Sequence, residues 1–476
     1  MNLCEPTEDF LSAAKSLLGD AGWRAGAEAA GYLTEPRGLY QGKAALVARP
    51  NSTQQAADLV RLCAGARVGI VPWGGGTGLV GGQVKPAGPT PVLLSLERLN
   101  RLRSVSRADE AMTLEAGATL AAAQAAAEAE DRLFPLSLAS EGSCTVGGIL
   151  STNAGGVQVL RYGNARDLCL GLEVVTAQGE IWDGLSPLRK NNTGYDLRHL
   201  FIGAEGTLGI VTAATLKLFP RPRAWATGFA ALASPAAGLA LLARAQAASD
   251  GAVSAFELMP AFGLDLSLRF NPGTTSPLEA PAPWMALVEI SGARPEPVAE
   301  ALEAAFGAAW EAGEITDAAV AASEAQRQAL WRLRESLSEA QKLEGGGIKH
   351  DVSLPPRRIP EFLEQAAALI ERLAPGARPC PFGHMGDGNL HYNVLPPSLA
   401  EKAPFLARWR EISEAVHDLV LSYGGSISAE HGIGRLKAQE LARTADPAKM
   451  AMIRRIKGAL DPLGILNPGV ILPEAL

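Results

Sequence analysis

Only six histidines occur in the 476 residues, and two of them, His384 and His391, flank the glycine-rich turn of HMGDGNLH. Further on, SAEHGIGRLK places Glu430 directly before His431. If residues 386–389 are the tip of a β-hairpin, Met385 faces Leu390 and His384 faces His391. Directly opposed residues have Cβ atoms roughly 4.5–5.5 Å apart, close enough to share one ion. Two imidazoles and a carboxylate with one position left open suit Zn²⁺ or a similar divalent ion in a catalytic site. A single histidine is more often an ordinary core or surface residue; a facing pair, with an acid–histidine pair elsewhere, favours metal. Spacing alone leaves Glu430 and His431 interchangeable as third ligand and proton acceptor.

A second group of residues speaks of an anion. PWGGGTGLVGGQV, residues 72–84, contains GxGxxG at Gly76, Gly78 and Gly81. A dinucleotide fingerprint must open a helix, which Pro86 and Pro89 forbid here, and no Lys-Ser or Lys-Thr follows as in a nucleotide P-loop. What remains is a run of backbone N–H groups with few side chains in the way, able to wrap a pyrophosphate. LASEGSCTVGGILSTNAGG (138–156) and GAEGTLGIV (203–211) likewise bring bare backbone close to something flat or charged.

A third stretch, WRLRESLSEAQKLEGGGIKHDVSLP, carries Arg334 and Ser338, four apart and so on one face of a helix. The planar guanidinium is shaped for a carboxylate. Without the neighbouring motifs, an ordinary solvated Glu/Arg face is the simpler reading. Asn393, two residues after His391, projects to the same strand face.

These residues need a scaffold. A helix is expected over 54–66, strands over 68–73 and 92–99, an Ala-rich helix over 119–130, a hairpin over 172–184 and a long strand over 207–220. Pro220-Arg221-Pro222 is the expected boundary, followed by a second α+β stretch and a mostly helical final seventy residues. The uncharged run AWATGFAALASPAAGLALLA is interrupted by Ser234-Pro235, an N-cap and first helical position. It reads as strand, turn and helix, and not as a membrane span. Charged residues make up 20% and the net charge is −7, which argues against nucleic acid as a partner. Five scattered cysteines without a CxxC pair suit a reducing compartment. The N-terminus shows no signal-peptide pattern, so a cytoplasmic location is expected.

PWGGGTGLVGG, SCTVGGILSTNAGGVQVLRYG and KNNTGYDLRHLFIGAEGTLGIV resemble the FAD domain of the vanillyl-alcohol-oxidase (PCMH-type) flavoproteins. HMGDGNLH, SAEHGIG and the terminal NPG extend the likeness to the D-2-hydroxyacid dehydrogenase branch, from about residue 40 to the end. The resemblance implies an α+β fold in three parts. These are a PCMH-type FAD-binding domain of two α+β subdomains over 1–222, an α+β cap of antiparallel sheet and helices over 223–404, and a helical segment over 405–476 returning to the FAD domain.

It implies non-covalent FAD, the glycine loop lacking a histidine tether. The residues it assigns to the cofactor are Pro72, Gly74, Gly75, Gly76, Thr77, Gly78, Leu79, Leu138, Gly142, Ser143, Cys144, Gly147, Gly148, Ser151, Thr152, Glu205, Gly206, Ile210 and Asn467. Trp73, Glu141 and Ile149 stand where relatives often carry Arg, Lys and Asn. The resemblance also makes His384, His391 and Glu430 the ligands of a divalent metal, zinc first, and His431 the general base.

The implied chemistry is oxidation of an alcohol: the hydroxyl proton goes to His431 while the Cα hydride leaves for flavin N5, the ion lowering the hydroxyl pKa. Arg334, Ser338, Lys349 and Asn393 are the implied substrate residues. Lys349 resembles the lysine that D-2-hydroxyglutarate dehydrogenases use, so D-2-hydroxyglutarate is expected first, D-malate second, and D-lactate or glycolate as the alternative. The electrons are expected to leave to an external acceptor, an electron-transfer flavoprotein or a quinone-linked carrier, and the resemblance suggests a homodimer. Two readings of other classes remain: a zinc hydrolase, which leaves three glycine segments unexplained, and a flavin-bearing subunit with vestigial chemistry.

Overall fold

In the computed structural model, residues 3–474 are described. The chain forms two compact units, one of Met1–Gly155, Gly163–Arg221 and Glu430–Leu476, the other of Gly156–Tyr162 and Pro222–Ala429.

The first unit is built on two sheets. One runs in the order Trp23–Arg24, Leu46–Ala48, Val92–Ser95, Ile70–Trp73, with its last three strands parallel. The other is antiparallel, in the order Leu102–Ser106, Ala111–Glu115, Ile210–Lys217, Cys169–Val175, Ile181–Gly184. The helices at Thr53–Ala66 and Leu120–Ala129 start where expected, each capped by a hydroxyl (Ser52, Thr119) that accepts an otherwise unpaired N–H of the first turn. No helix follows the glycine loop.

Residues 430–474 are sewn into this unit by hydrogen bonds of backbone and side-chain groups. Ile70 N–H donates to Ile465 O and Asn467 N–H to Ile70 O. Arg435 and Leu436 N–H both donate to Val80 O. Lys457 Nζ donates to Thr207 O, Leu466 O and Asp461 Oδ2 at 2.6–2.8 Å. The buried Glu205 carboxylate accepts from Ile433 N–H at 2.7 Å and Gly434 N–H at 2.8 Å. Gly434 has φ +54°, and a Cβ there would lie 2.2 Å from Val80 O, so the turn tolerates no side chain.

The second unit is a seven-stranded antiparallel sheet in the order Ile315–Val320, Ala224–Leu232, Trp284–Gly292, Val253–Pro260, Arg378–His384, Asn389–Leu395, Asp351–Ser353. The uncharged run is the strand Ala224–Leu232 and the helix Pro235–Ala248, with Ser234 Oγ capping Ala237 N–H. Among the described residues no helix is long and apolar enough to cross a membrane. One sheet face packs Phe256, Leu258, Val352, Leu390, Tyr392 and Val394 with the helices at Pro235–Ala248, Pro295–Glu311, Ile359–Leu373 and Trp409–Ser422. Residues 405–429 therefore belong with the cap and not with a C-terminal segment: Ile412, Val416 and Val420 share an apolar cluster with Phe362 and Ile370.

Glu205 carries a pH signature. Burial outweighs its two N–H donors and the nearby Lys437, and raises its carboxyl from 4.5 to about 7. A carboxyl raised on folding binds its proton more tightly in the native state, so its stabilising contribution is complete below pH ~4.5 and is lost as pH rises through about 7. Glu205→Gln, neutral at every pH, should show a smaller fall in Tm between pH 5 and 7.5 than the parent in calorimetry. Parallel Tm–pH curves would contradict this.

Candidate active site

The opposite face of the seven-stranded sheet gathers most of the residues expected to hold metal and substrate. The hairpin forms, but its register is not the one expected: His391 pairs with Phe382, not with His384. The strand ends at His384 and the next begins at Asn389, so residues 385–388 make the turn and the pairing slips by two. An even slip preserves the face. His384 and His391 are thus diagonal neighbours, their rings edge to face with centroids 5.8 Å apart.

Strand parity extends the face. Asp351 pairs with His391, and the Ile348–Val394 bridge continues that register, which puts Lys349 level with Asn393. On the other side, Glu257 lies directly opposite His384. Lys349, Asp351, His391, Asn393, Phe382, His384 and Glu257 therefore share one side of four adjacent strands.

Arg334 reaches the same face from the helix Glu324–Glu335: its Nε donates to Glu257 Oε2 at 2.6 Å and its guanidinium carbon lies 4.8 Å from the Phe382 ring centroid. Ser338 does not join it. The helix is interrupted at Ser336 and restarts at Leu337, and Ser338 is exposed where Arg334 is 8% exposed. Asn393 Nδ2 donates to Gln341 Oε1 at 2.8 Å, and Gln341 Nε2 in turn lies 3.4 Å from Cys380 Sγ.

The donor set on this face fits a metal. His384 Nδ1 lies 2.5 Å from Glu257 Oε1, which leaves Nε2 as the nitrogen to ligate. His391 Nδ1 lies 3.9 Å from Asp351 Oδ1. A carboxylate hydrogen-bonded behind the imidazole, as Glu257 is behind His384, is the arrangement that orients a metal-binding histidine; Asp351 lies beyond hydrogen-bond reach of His391. Burial alone would raise Glu257, but Arg334 and His384 beside it hold its carboxyl at about 2. Asp351 is tied in its turn, Oδ1 accepting from Asn389 Nδ2 at 3.0 Å and Oδ2 from Ala429 N–H at 3.2 Å. Ala429 is the last residue of this unit; Glu430 and His431, the next two in the chain, are counted with the first. Glu257 and Asp351 were not singled out from sequence. Glu257 had a signal, an acid inside the largely apolar strand VSAFELMP, where it has no exposed surface; Asp351, in the three-residue strand DVS, had none.

In the first unit the three small-residue segments come together. A Cβ on Gly75 would lie 1.9 Å from Ser143 O, and one on Gly74 would lie 3.0 Å from Thr145 Oγ1 and 3.4 Å from Gly148 Cα. Gly147, Gly148, Ser151 and Thr152 sit on a short helix, Val146–Thr152, capped by Thr145. Glu205 N–H donates to Ser151 O at 2.7 Å, and a Cβ on Gly206 would lie 2.6 Å from Pro72. Gly78 O accepts from Gln83 Nε2 at 2.7 Å. Leu138 O accepts from Glu141 N–H, Cys144 is buried beside them, and Ile210 begins a central strand. Gly142 has no atom within 4 Å of its Cβ position, and Gly76 takes φ +70° beside the Trp73 ring, with Thr77 and Leu79 following in the same loop.

Asn467, in left-handed backbone, donates through Nδ2 to Gly82 O and Glu205 O. Its Oδ1 and the Trp73 Nε1 are buried with no hydrogen-bond partner among the described residues. One orphaned acceptor and one orphaned donor, in a cradle of glycines too tight for side chains, fit a large polar cofactor with both kinds of group.

Comparison with known proteins agrees with this arrangement. Residues 44–184 match the FAD binding domain and residues 221–471 the C-terminal domain of FAD linked oxidases. The chain is 38% identical over 423 residues to D-2-hydroxyglutarate dehydrogenase of Xanthomonas citri pv. viticola, covering 89% of this chain and 88% of that one. It is 36% identical over 437 residues to the mitochondrial D-2-hydroxyglutarate dehydrogenase of Arabidopsis thaliana, covering 92% and 76%. A crystal structure of p-cresol methylhydroxylase with substrate bound shares the fold, with TM-score 0.77, 16% identity and 99% of each chain covered. The glycine cradle, its orphaned polar atoms and these matches have one explanation: the chain belongs to the FAD-linked oxidase family, with FAD as its cofactor.

Proposed function

We propose that this chain is a dehydrogenase that uses FAD and a divalent metal, zinc first, to oxidise a D-2-hydroxyacid to the 2-oxoacid. D-2-hydroxyglutarate is the first substrate and D-malate the second. The observation that carries the reading is the single sheet face bearing Lys349, Asn393, His384 and His391, with Arg334 reaching it, in an FAD-linked oxidase. The two relatives named for D-2-hydroxyglutarate support the substrate. A zinc hydrolase would have no use for a glycine cradle shaped for FAD.

FAD, when bound, supplies the two-electron acceptor; the ion supplies Lewis acidity at the substrate hydroxyl. The chain's own groups do the rest. His384, His391 and Glu430 hold the ion, and an imidazole nitrogen of His431 takes the hydroxyl proton. Arg334 offers a planar fork to one carboxylate, and Lys349 a point charge to the second carboxylate of a dicarboxylic substrate. Asn393, held by Gln341, presents an oriented amide. Ser338 is the weakest member of the set, being exposed. FAD is held without a covalent link, and the electrons pass on to an external carrier, an electron-transfer flavoprotein or a quinone-linked protein. Five unpaired thiols, four of them buried, support a reducing setting, and the cytoplasm is the proposed one.

Two outcomes test the reading. Under anaerobic conditions D-2-hydroxyglutarate should bleach the flavin absorbance rapidly. His431→Ala should slow this step ~10²–10⁴-fold, the span of a lost general base, and a chelator should slow it reversibly. Bleaching unaffected by either would remove His431 and the metal from the mechanism. Lys349→Met should raise KM for D-2-hydroxyglutarate and D-malate at least ~10-fold, as expected for a lost charged hydrogen bond, with D-lactate turnover unchanged. An equal loss on all three acids, or a parent reduced by D-lactate alone, would overturn the dicarboxylate assignment.

A further inference from the structure

The strand Val253–Pro260 is buried at all eight positions, and Glu257, with 0% exposure, is its one ionisable residue. A carboxylate costs several kcal/mol to strip of water unless it is paired and hydrogen-bonded on the spot. Glu257 is paired twice, one oxygen for each partner: Oε1 to His384 Nδ1 at 2.5 Å and Oε2 to Arg334 Nε at 2.6 Å. The ladder places it directly across from His384, and the packing of Arg334 over Phe382 fixes the third corner. The Asp351–His391 pair is looser, at 3.9 Å, with both Asp351 oxygens engaged by amides.

We propose that Glu257 is a positioning residue that couples the metal ligand His384 to the substrate-facing Arg334. This rests on the reading of those two residues given above. Through Oε1 it keeps the imidazole proton on Nδ1, so that Nε2 carries the lone pair an ion needs. Through Oε2 it fixes the guanidinium by its inner nitrogen, so that Nη1 and Nη2 are the donors a carboxylate meets. One buried carboxylate thereby makes ion binding and carboxylate recognition depend on the same geometry. Neither histidine spacing nor the arginine's place on its helix reveals the link, because Glu257 lies 77 and 127 residues from its partners.

Glu257→Gln is the decisive variant. An amide cannot accept from both partners at once, and an amide N–H turned toward His384 favours the tautomer that carries hydrogen on Nε2. The holoprotein is titrated with Zn²⁺ after chelation, with flavin absorbance as the measure of folding. Steady-state KM and kcat for D-2-hydroxyglutarate are then taken with and without excess Zn²⁺. The expected result is a Zn²⁺ affinity lower by about 10- to 100-fold, the usual cost of losing such a carboxylate, with flavin content retained. Excess Zn²⁺ should restore kcat and leave KM raised, a split that general damage to the fold does not give.

Parental Zn²⁺ affinity or parental KM in Glu257→Gln overturns the proposal. Should that variant lose flavin, Glu257→Asp takes its place. It keeps the charge but shortens the reach, and a smaller loss of Zn²⁺ affinity with a smaller rise in KM is expected; parental values for both overturn the proposal. His384→Ala separates the two levels: if it binds Zn²⁺ as the parent does, it is the assignment of His384 as a ligand that fails, whatever Glu257 does.

Discussion

A carboxylate with no exposed surface must be neutralised where it stands, and in the second unit that constraint falls on Glu257. Its strand is apolar on both sides, so the charge cannot reach solvent, and the two groups that answer it are an imidazole and a guanidinium. Those two groups are thereby immobilised. The rest of the polar face is laid out around them by strand parity, with Phe382, His391, Asn393, Lys349 and Asp351 on successive positions of neighbouring strands. The other face of the same sheet is an ordinary apolar core. A rigid sheet with an apolar core on one face, and on the other a polar cluster set beside the apolar group of Met259, Leu287 and Phe382, holds side chains still at little entropic cost, since the ladder itself orders them.

The first unit solves a related problem with backbone. Its glycine segments approach one another so closely that a methyl group at Gly75 would overlap Ser143 O, which leaves N–H and C=O groups, and few side chains, lining the cradle. Buried polar side chains then act as ties between segments remote in sequence. Glu205 accepts two N–H groups of the turn after His431, Asn467 joins two carbonyl oxygens, and Lys457 joins three acceptors. The turn that follows the expected base is anchored to two of the segments expected to hold FAD, through Val80 O of one and Glu205 of the other.

Much of the scaffold was legible because it is local. Ser234 before Pro235 marks a helix start, alanine enrichment marks the helix at Leu120–Ala129, and prolines after the glycine loop exclude a helix there. The polar residues of HMGDGNLHYN share a face because side chains alternate along a strand whatever its exact pairing. The register itself was misjudged by two, since a turn of Gly and Asp can close at more than one place and only pairing with Val253–Pro260 and Asp351–Ser353 selects one. Arg334 and Ser338 also part company: a turn at Ser336 separates their two helices, and Ser338 falls on the exposed side while Arg334 is buried.

By itself, the sequence determined which residue types were available for chemistry, where backbone had to run bare of side chains, and the family whose motifs these are. All of that is written in short stretches, in which local sterics and residue identity suffice. Only the tertiary structure decided which acids stand behind the histidines. Glu257 looks like an isolated charge in an apolar strand until the sheet brings it against His384, and the same sheet sets Asp351 across from His391. The physical reason is that pairing a buried charge is a demand on space and not on sequence, and its partner may come from any strand or helix that folding places within reach.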